Sequence, residues 1–450
     1  MLAHLILLVL LFGLMQAAVS FSPAEALGAG AGATTLASGF LLLTANLAGN
    51  VFKSIGLPKL TGYLFTGVLV GPGILDLVSE RMLVDLRIFN GVAIALIALT
   101  AGSELHIRGV RPLLRTITWI SGIAIVGTMI VLAGSVYLLG GLLPFSRQLD
   151  QLQWAAVALV LGVAMTAQSP AVVVALRKEM QAQGPMASTV LGVVVISDIV
   201  VIVGFAITSS LAVALTGGQV SPLQAAAGLA WEIFGSIFSG LLTGVLIAAF
   251  MKRAHAGGGV FLIITGLVIA EVGQRIHFDP LLVALSAGIL VRNATSQGER
   301  LHDAIESSSL PVYVGFFAVS GATIHLDALR LVGIPALIIV GIRAASFLAG
   351  SNIACRLAAA PAVVRKFSGF GLLPQAGLAI GLALLFARLF PDLGEHAAAL
   401  ILSVVAFNEL IAPVAYRWAL LRSGEAGKEL VHVEEDAWAA GALAEQPPAA

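Results

Sequence analysis

Charge is what this sequence has least of. Asp, Glu, Lys and Arg make up 11% of its 450 residues, against 59% hydrophobic. With a mean hydropathy of +1.01, the chain lacks the polar surface needed to cover a water-soluble globule, and it belongs in lipid. Cysteine is almost missing: Cys355 alone excludes an internal disulfide framework and a cysteine-based metal site. None of the eight histidines falls in the middle of an apolar stretch, which argues against a Ser-His protease within the membrane or a histidine metal site. No glycine-rich phosphate loop ending in Lys occurs, so ATP is not hydrolysed by this chain and no cofactor is expected. The formal net charge is zero, and nothing in it invites a nucleic acid. The alternating ten-residue segments of a membrane barrel are absent too.

What is present is one apolar stretch after another. A hydrocarbon layer about 30 Å thick needs roughly 20 apolar residues per helical crossing. Such stretches occur near residues 34–52, 58–77, 87–107, 115–140, 153–176, 186–213, 225–251, 258–276, 279–293, 308–325, 331–357, 367–390 and 396–421. The expected fold is therefore an all-α polytopic membrane protein of about 13 transmembrane helices. Residues 5–21 are either a signal peptide ending among the small residues between Ala17 and Ala26 or a fourteenth helix, with the signal peptide preferred. Residues 1–33 thus form a leader or extra helix with its linker, and residues 34–422 form the transmembrane domain. Residues 423–450, mixed in charge and ending in Ala and Pro, are expected to be a short disordered tail.

The sparse positive charges are unevenly placed. Counted on alternate sides of the thirteen crossings, seventeen Lys and Arg fall on one side, from Lys53 and Lys59 to Arg422 and Lys428. Six fall on the other: Arg81, Arg87, Arg147, Arg275, Arg330 and Arg388. Arg343 is the remaining one of 24. Cytoplasmic loops hold the excess of positive charge, so the C-terminus is expected on the cytoplasmic side.

Four features inside the apolar stretches bear on chemistry. Gln168-Ser169-Pro170 interrupts the fifth crossing, and proline there must break or kink the helix. Freed carbonyls at membrane depth are tolerated only against protein or a watery cavity, which makes the break a candidate ion site beside the plainer reading of a kink. Gly371, Pro374 and Gly377 interrupt the twelfth crossing. Seven crossings separate the two breaks, so they enter from opposite sides, as in a transporter built from two inverted six-helix repeats. Asp198 lies in LGVVVISDIVVIVGF, where a carboxylate costs roughly 2.5–3.5 kcal/mol on insertion scales. A group so placed can hold a proton or a cation in turn, or merely satisfy an internal hydrogen bond. Arg343, mid-crossing in LIIVGIRAASFLAG, must be neutralised by a carboxylate such as Asp198 or by helix carbonyl ends. Among other acids, Glu104 and Glu232 read as interfacial anchors, and Glu271 and Glu409 as deeper groups a neighbouring helix can satisfy. Gly62, Gly67 and Gly71 read as close helix packing.

At these residues the chain resembles the sodium/hydrogen exchanger superfamily, and within it the monovalent cation:proton antiporter-2 family. GYLFTGVLVGPGIL is similar to that family's second-helix signature, AQSPAVVVAL to its first unwound helix, SDIVVIV to its ion-binding helix and LLPQAGLAIGLAL to its second unwound helix. The motifs occur in order from about residue 34 onward. The resemblance implies a homodimeric antiporter of the bacterial inner membrane, exchanging Na⁺ or K⁺ for H⁺ as a mobile core moves against a dimerisation domain. It implies that Asp198 binds cation and proton alternately, with Ser197, Ser169, Thr166 and Gln168 as neutral oxygen ligands, Arg343 as the core counter-charge, and unwound backbone at Pro170, Pro374 and Gly377. Ser197 stands where the family usually has Asp or Asn, which implies one-for-one exchange. A non-transporting sensor or assembly subunit of the same fold, or an ion channel, are the alternatives.

Overall fold

The computed structural model describes residues 2–21, 31–105, 107, 111–216, 222–253, 257–276, 278–324, 326–375 and 377–427. Among the described residues every regular element is helical. Seven helices are long and apolar enough to cross a membrane, and seven shorter stretches are also apolar. The segments read from hydropathy overlap helices, although 58–77 is helical only over Lys59–Val70, and 153–176 and 367–390 are each divided between two helices. A further helix, α1 (Leu2–Phe21), packs on α2 (Ala31–Ser54), burying Met15 and setting the Phe12 ring edge-on to Phe40 at 5.5 Å. The tail beyond residue 427 lies outside the described residues.

The helices sort into two bundles. One holds α2, α3 (Lys59–Val70), α5 (Arg87–Glu104), which follows the short α4 (Glu80–Asp85), then α10 (Pro222–Arg253), α11 (Gly258–Ile276), α12 (Pro280–Ala294) and α13 (Gly298–Ala322). Its tightest seams are glycine-built. A Cβ on Gly67 would sit 2.0 Å from the Ala318 carbonyl oxygen of α13, and one on Gly62 would sit 2.8 Å from Gly49 Cα of α2. In α5 and α12, Gly102 and Gly288 each face the other helix's backbone, with a Cβ 2.4 Å and 2.5 Å from the nearest carbonyl oxygen. Lipid tails give little hydrophobic drive between helices, so such contact between backbones supplies the packing.

The second bundle holds α6, which spans Arg111–Leu142 through a π-helical stretch at Ser121–Ile125, then α7 (Gln151–Thr166), α8 (Pro170–Glu179) and α9 (Pro185–Leu215). It also holds α14 (Leu326–Leu357), α15 (Ala362–Gly371), α16 (Gly377–Leu389) and α17 (Pro391–Arg422). Local chemistry sets the boundaries. Asp150 and Gln153 form a reciprocal capping box that starts α7, and Pro170 takes the first turn of α8, where its missing N–H costs nothing. The fifth and twelfth crossings are thus each two half-helices, α7–α8 and α15–α16.

On the face where basic residues are dense, the bundles are tied together. Arg177 of α8 forms an ion pair with Glu104 of α5 at 2.8 Å, and Lys59 N of α3 donates to Glu179 Oε1 of α8 at 2.7 Å. Beyond α17 the chain turns back, and Glu425, 2% exposed, accepts hydrogen bonds from the Met186 and Ala187 amides at the start of α9, each 2.8 Å. A carboxylate at those free amides meets the positive end of the helix dipole.

Because Gly67 has no room for a methyl group, Gly67→Val is expected to cost about 2 kcal/mol, typical of overpacking. Thermal unfolding in detergent should register the drop; an unchanged midpoint would mean that the α3–α13 seam is not close-packed.

Candidate functional site

Unwinding two helices inside a bundle leaves backbone groups with no water to meet, so the site begins with how they are satisfied. The breaks cross at residues 167–169 and 372–375, joined by Ser169 N donating to the Pro374 carbonyl oxygen at 2.9 Å. The C-terminal ends of α7 and α15 then meet a single cation. From α14, Arg343 donates through Nε to Met165 O at 2.9 Å, through one terminal nitrogen to Leu373 O at 2.7 Å, and through the other to Ala167 O at 2.9 Å. It is fully buried, and its guanidinium stacks over Phe347 at 4.8 Å. Of the two partners open to it in the sequence, Arg343 takes the helix carbonyl ends.

Two further side chains finish this hub. Gln375 Nε2 donates to Met165 O at 2.9 Å, and Asn408 of α17 donates to Gln375 Oε1 at 3.0 Å. Both are buried. Sequence reasoning missed them, although Gln375 directly follows the proline of the second break much as Gln168 precedes that of the first.

The N-terminal ends of the other half-helices face a cavity instead. It measures about 580 Å³ and is bounded by Gln168, Ser169 and Pro170 at one break, Gly377 at the other, and Asp198 of α9. Asp198 is 2% exposed, and neither carboxylate oxygen has a hydrogen-bond partner among the described residues. Gln168, 1% exposed, likewise has both amide atoms unpartnered. The Ser169 hydroxyl accepts from Val172 N at 3.2 Å as the cap of α8. The cavity runs along Ile202, Phe205, Ser209 and Val213, one face of α9 at helical spacing.

Not every candidate ligand joins it. Ser197 is fully buried and donates to Val194 O at 2.7 Å, while Thr166 donates to Gly162 O at 2.8 Å. Neither lines the cavity. Glu232 does line it, along with Asp279 at the start of α12, a residue the sequence did not single out. Glu409 is buried away from the cavity with Oε2 unpartnered, and Glu271 is exposed, 3.9 Å from Arg275.

Crossed broken helices, with their carbonyl ends neutralised and their amide ends turned toward a buried carboxylate, define a secondary transporter of the inverted-repeat class. The chain belongs to the sodium/hydrogen exchanger family, whose transmembrane region it matches over residues 39–422. That family carries ions and is not enzymatic. Among solved structures it resembles the sodium proton antiporter MjNhaP1 from Methanocaldococcus jannaschii at pH 8, with a TM-score of 0.65 and 16% identity over 88% of this chain and 99% of that one. An electron-microscopy structure of the same antiporter gives a TM-score of 0.68 and 15% identity over 94% of this chain and 100% of that one. At those identities the likeness is one of fold. No curated protein sequence matches the chain.

Since one guanidinium serves three carbonyls, Arg343→Met is expected to cost about 3–5 kcal/mol, with Arg343→Lys between it and the native chain. Thermal unfolding of the three proteins in one detergent checks the order; a Met variant as stable as the native chain would show that the carbonyls find other donors.

Proposed function

We propose that this chain exchanges Na⁺ or K⁺ for protons by alternating access, with Asp198 binding the cation and the proton in turn. The observation that carries the reading is the Asp198 carboxylate itself, buried, without a partner among the described residues, and lining a cavity bounded by two helix breaks. A proton or a cation satisfies such a group, and the two exclude each other there. The Ser169 hydroxyl and the Gln168 amide oxygen beside it are hard oxygen donors of the kind alkali cations take. The half-helix amide ends also face the cavity, a positive field that offsets the carboxylate's charge when it stands empty.

The two bundles support the rest of the cycle. In thirteen crossings with a cytoplasmic C-terminus, the cavity's lining residues lie in the halves of α5, α9, α10, α12 and α16 that point toward the side poor in Lys and Arg. The cavity is therefore open to the outside of a bacterial inner membrane, while the Arg177–Glu104 pair and the Lys59–Glu179 contact close the cytoplasmic side. Sliding the bundle that carries Asp198 against the other exchanges these arrangements. A homodimer joined through the other bundle is the assembly that suits this movement. At one-for-one stoichiometry a tenfold proton gradient supplies about 1.4 kcal/mol, enough to hold an opposing tenfold cation gradient.

Proton movement in proteoliposomes carrying a pH-sensitive dye, driven in turn by Na⁺, K⁺ and Li⁺, tests this. Cation-driven flux is expected in the native chain and should vanish in Asp198→Asn. Flux that survives in Asp198→Asn, or a folded native chain that moves protons with none of the three ions, would overturn the reading.

A further inference from the structure

Asp279 is a single residue at the start of a short helix, and its ordinary use is visible: its carboxylate caps α12, accepting from Leu282 N at 2.9 Å, ahead of Pro280 in the first turn. A cap does not need to line a cavity. Asp279 nonetheless borders the same space as Asp198, with Glu232 of α10 beside them.

The segment that presents Asp279 is held closely. Its own amide donates to the Ser236 hydroxyl of α10 at 2.8 Å, and that hydroxyl donates in turn to the Glu232 carbonyl oxygen one turn back. The Phe278 ring fills the space where Gly235 of α10 has no side chain and lies 5.3 Å from the Trp231 ring, whose Nε1 donates to Ile276 O at 3.1 Å. Both acids are thus fixed to one bundle, whereas Asp198 belongs to the other. At the inner end of the space, Asp198 and Gln168 are more than nine-tenths buried with their polar atoms unpartnered, an unfilled demand for a ligand.

Resting on the exchange reading above, we propose that Asp279, with Glu232, forms a stationary transit site for the cation, which delivers it from the outer mouth to the moving Asp198. A carboxylate on the fixed wall, with one oxygen engaged in the cap, concentrates cations where the cavity is otherwise mostly aliphatic, and its attraction is strengthened by the low-dielectric walls. The cation then leaves the fixed wall for the mobile one and departs with it. The second acid of this site comes from a different helix than Asp198, so nothing adjacent to Asp198 in sequence announces it.

The capping role and the transit role separate by substitution, because Asn caps a helix as well as Asp does but carries no charge. In the proteoliposome assay, with cation offered from the outer face, Asp279→Asn is expected to raise the cation KM about fivefold with an unchanged unfolding midpoint. Asp279→Glu should bring KM back toward native, and Glu232→Gln should raise it in the same direction. A native KM in Asp279→Asn, with the midpoint also native, would reduce Asp279 to a cap and overturn the proposal. If Asp198→Asn still exchanges ions, the underlying reading fails instead; if Asp198→Asn is inactive while Asp279→Asn is native, only the transit site fails.

Discussion

A helix broken inside a bilayer has nowhere to send its free carbonyls, and most of the second bundle, α6–α9 with α14–α17, is arranged around that constraint. Met165, Ala167 and Leu373 offer carbonyl oxygens at the crossing, and Arg343 answers all three from a third helix. The guanidinium is suited to it because its donors are spread across a rigid plane and its charge persists at any relevant pH. Neutralising these ends also breaks the symmetry of the crossing. The negative ends of two half-helices are silenced, and the positive ends remain to act on whatever enters the cavity.

The same asymmetry distributes roles between the bundles. The second bundle owns the breaks, Asp198 and the hub of Arg343, Gln375 and Asn408. The first contributes walls, and its own cohesion comes from glycine seams that bring backbones together. Each bundle is close-packed within itself, and polar ties such as Arg177–Glu104 and Lys59–Glu179 join the two.

Much of this was legible in the sequence, because lipid imposes strong rules. Hydropathy alone placed the all-helical fold, since every apolar stretch of sufficient length must satisfy its backbone internally. Pro170 and Pro374 marked the breaks, and Asp198 and Arg343 stood out because ionisable groups are costly where they lie. The packing reading of Gly62, Gly67 and Gly71 agrees with the backbone contacts those glycines make. What stayed hidden depended on rotation about helix axes. Ser197 and Thr166 carry suitable oxygens, but their hydroxyls bond within their own helices. Asp279 caps a helix, where acids are common, and Glu232 reads from hydropathy as an interfacial anchor; only the fold brings them to the cavity that Asp198 borders. Gln375 and Asn408 are neutral and therefore cast no hydropathy signal strong enough to notice.

The return of the chain beyond α17 has a mechanical side. Gln183 N donates to the Glu425 carbonyl oxygen, and Gly427 N to that of Met180, both at 2.9 Å, in addition to the two amides that the Glu425 carboxylate receives. Tension applied to the C-terminus is therefore borne first at the α8–α9 corner rather than by α17. That corner is where the helix carrying Asp198 begins, so a load on the tail pulls on that helix itself.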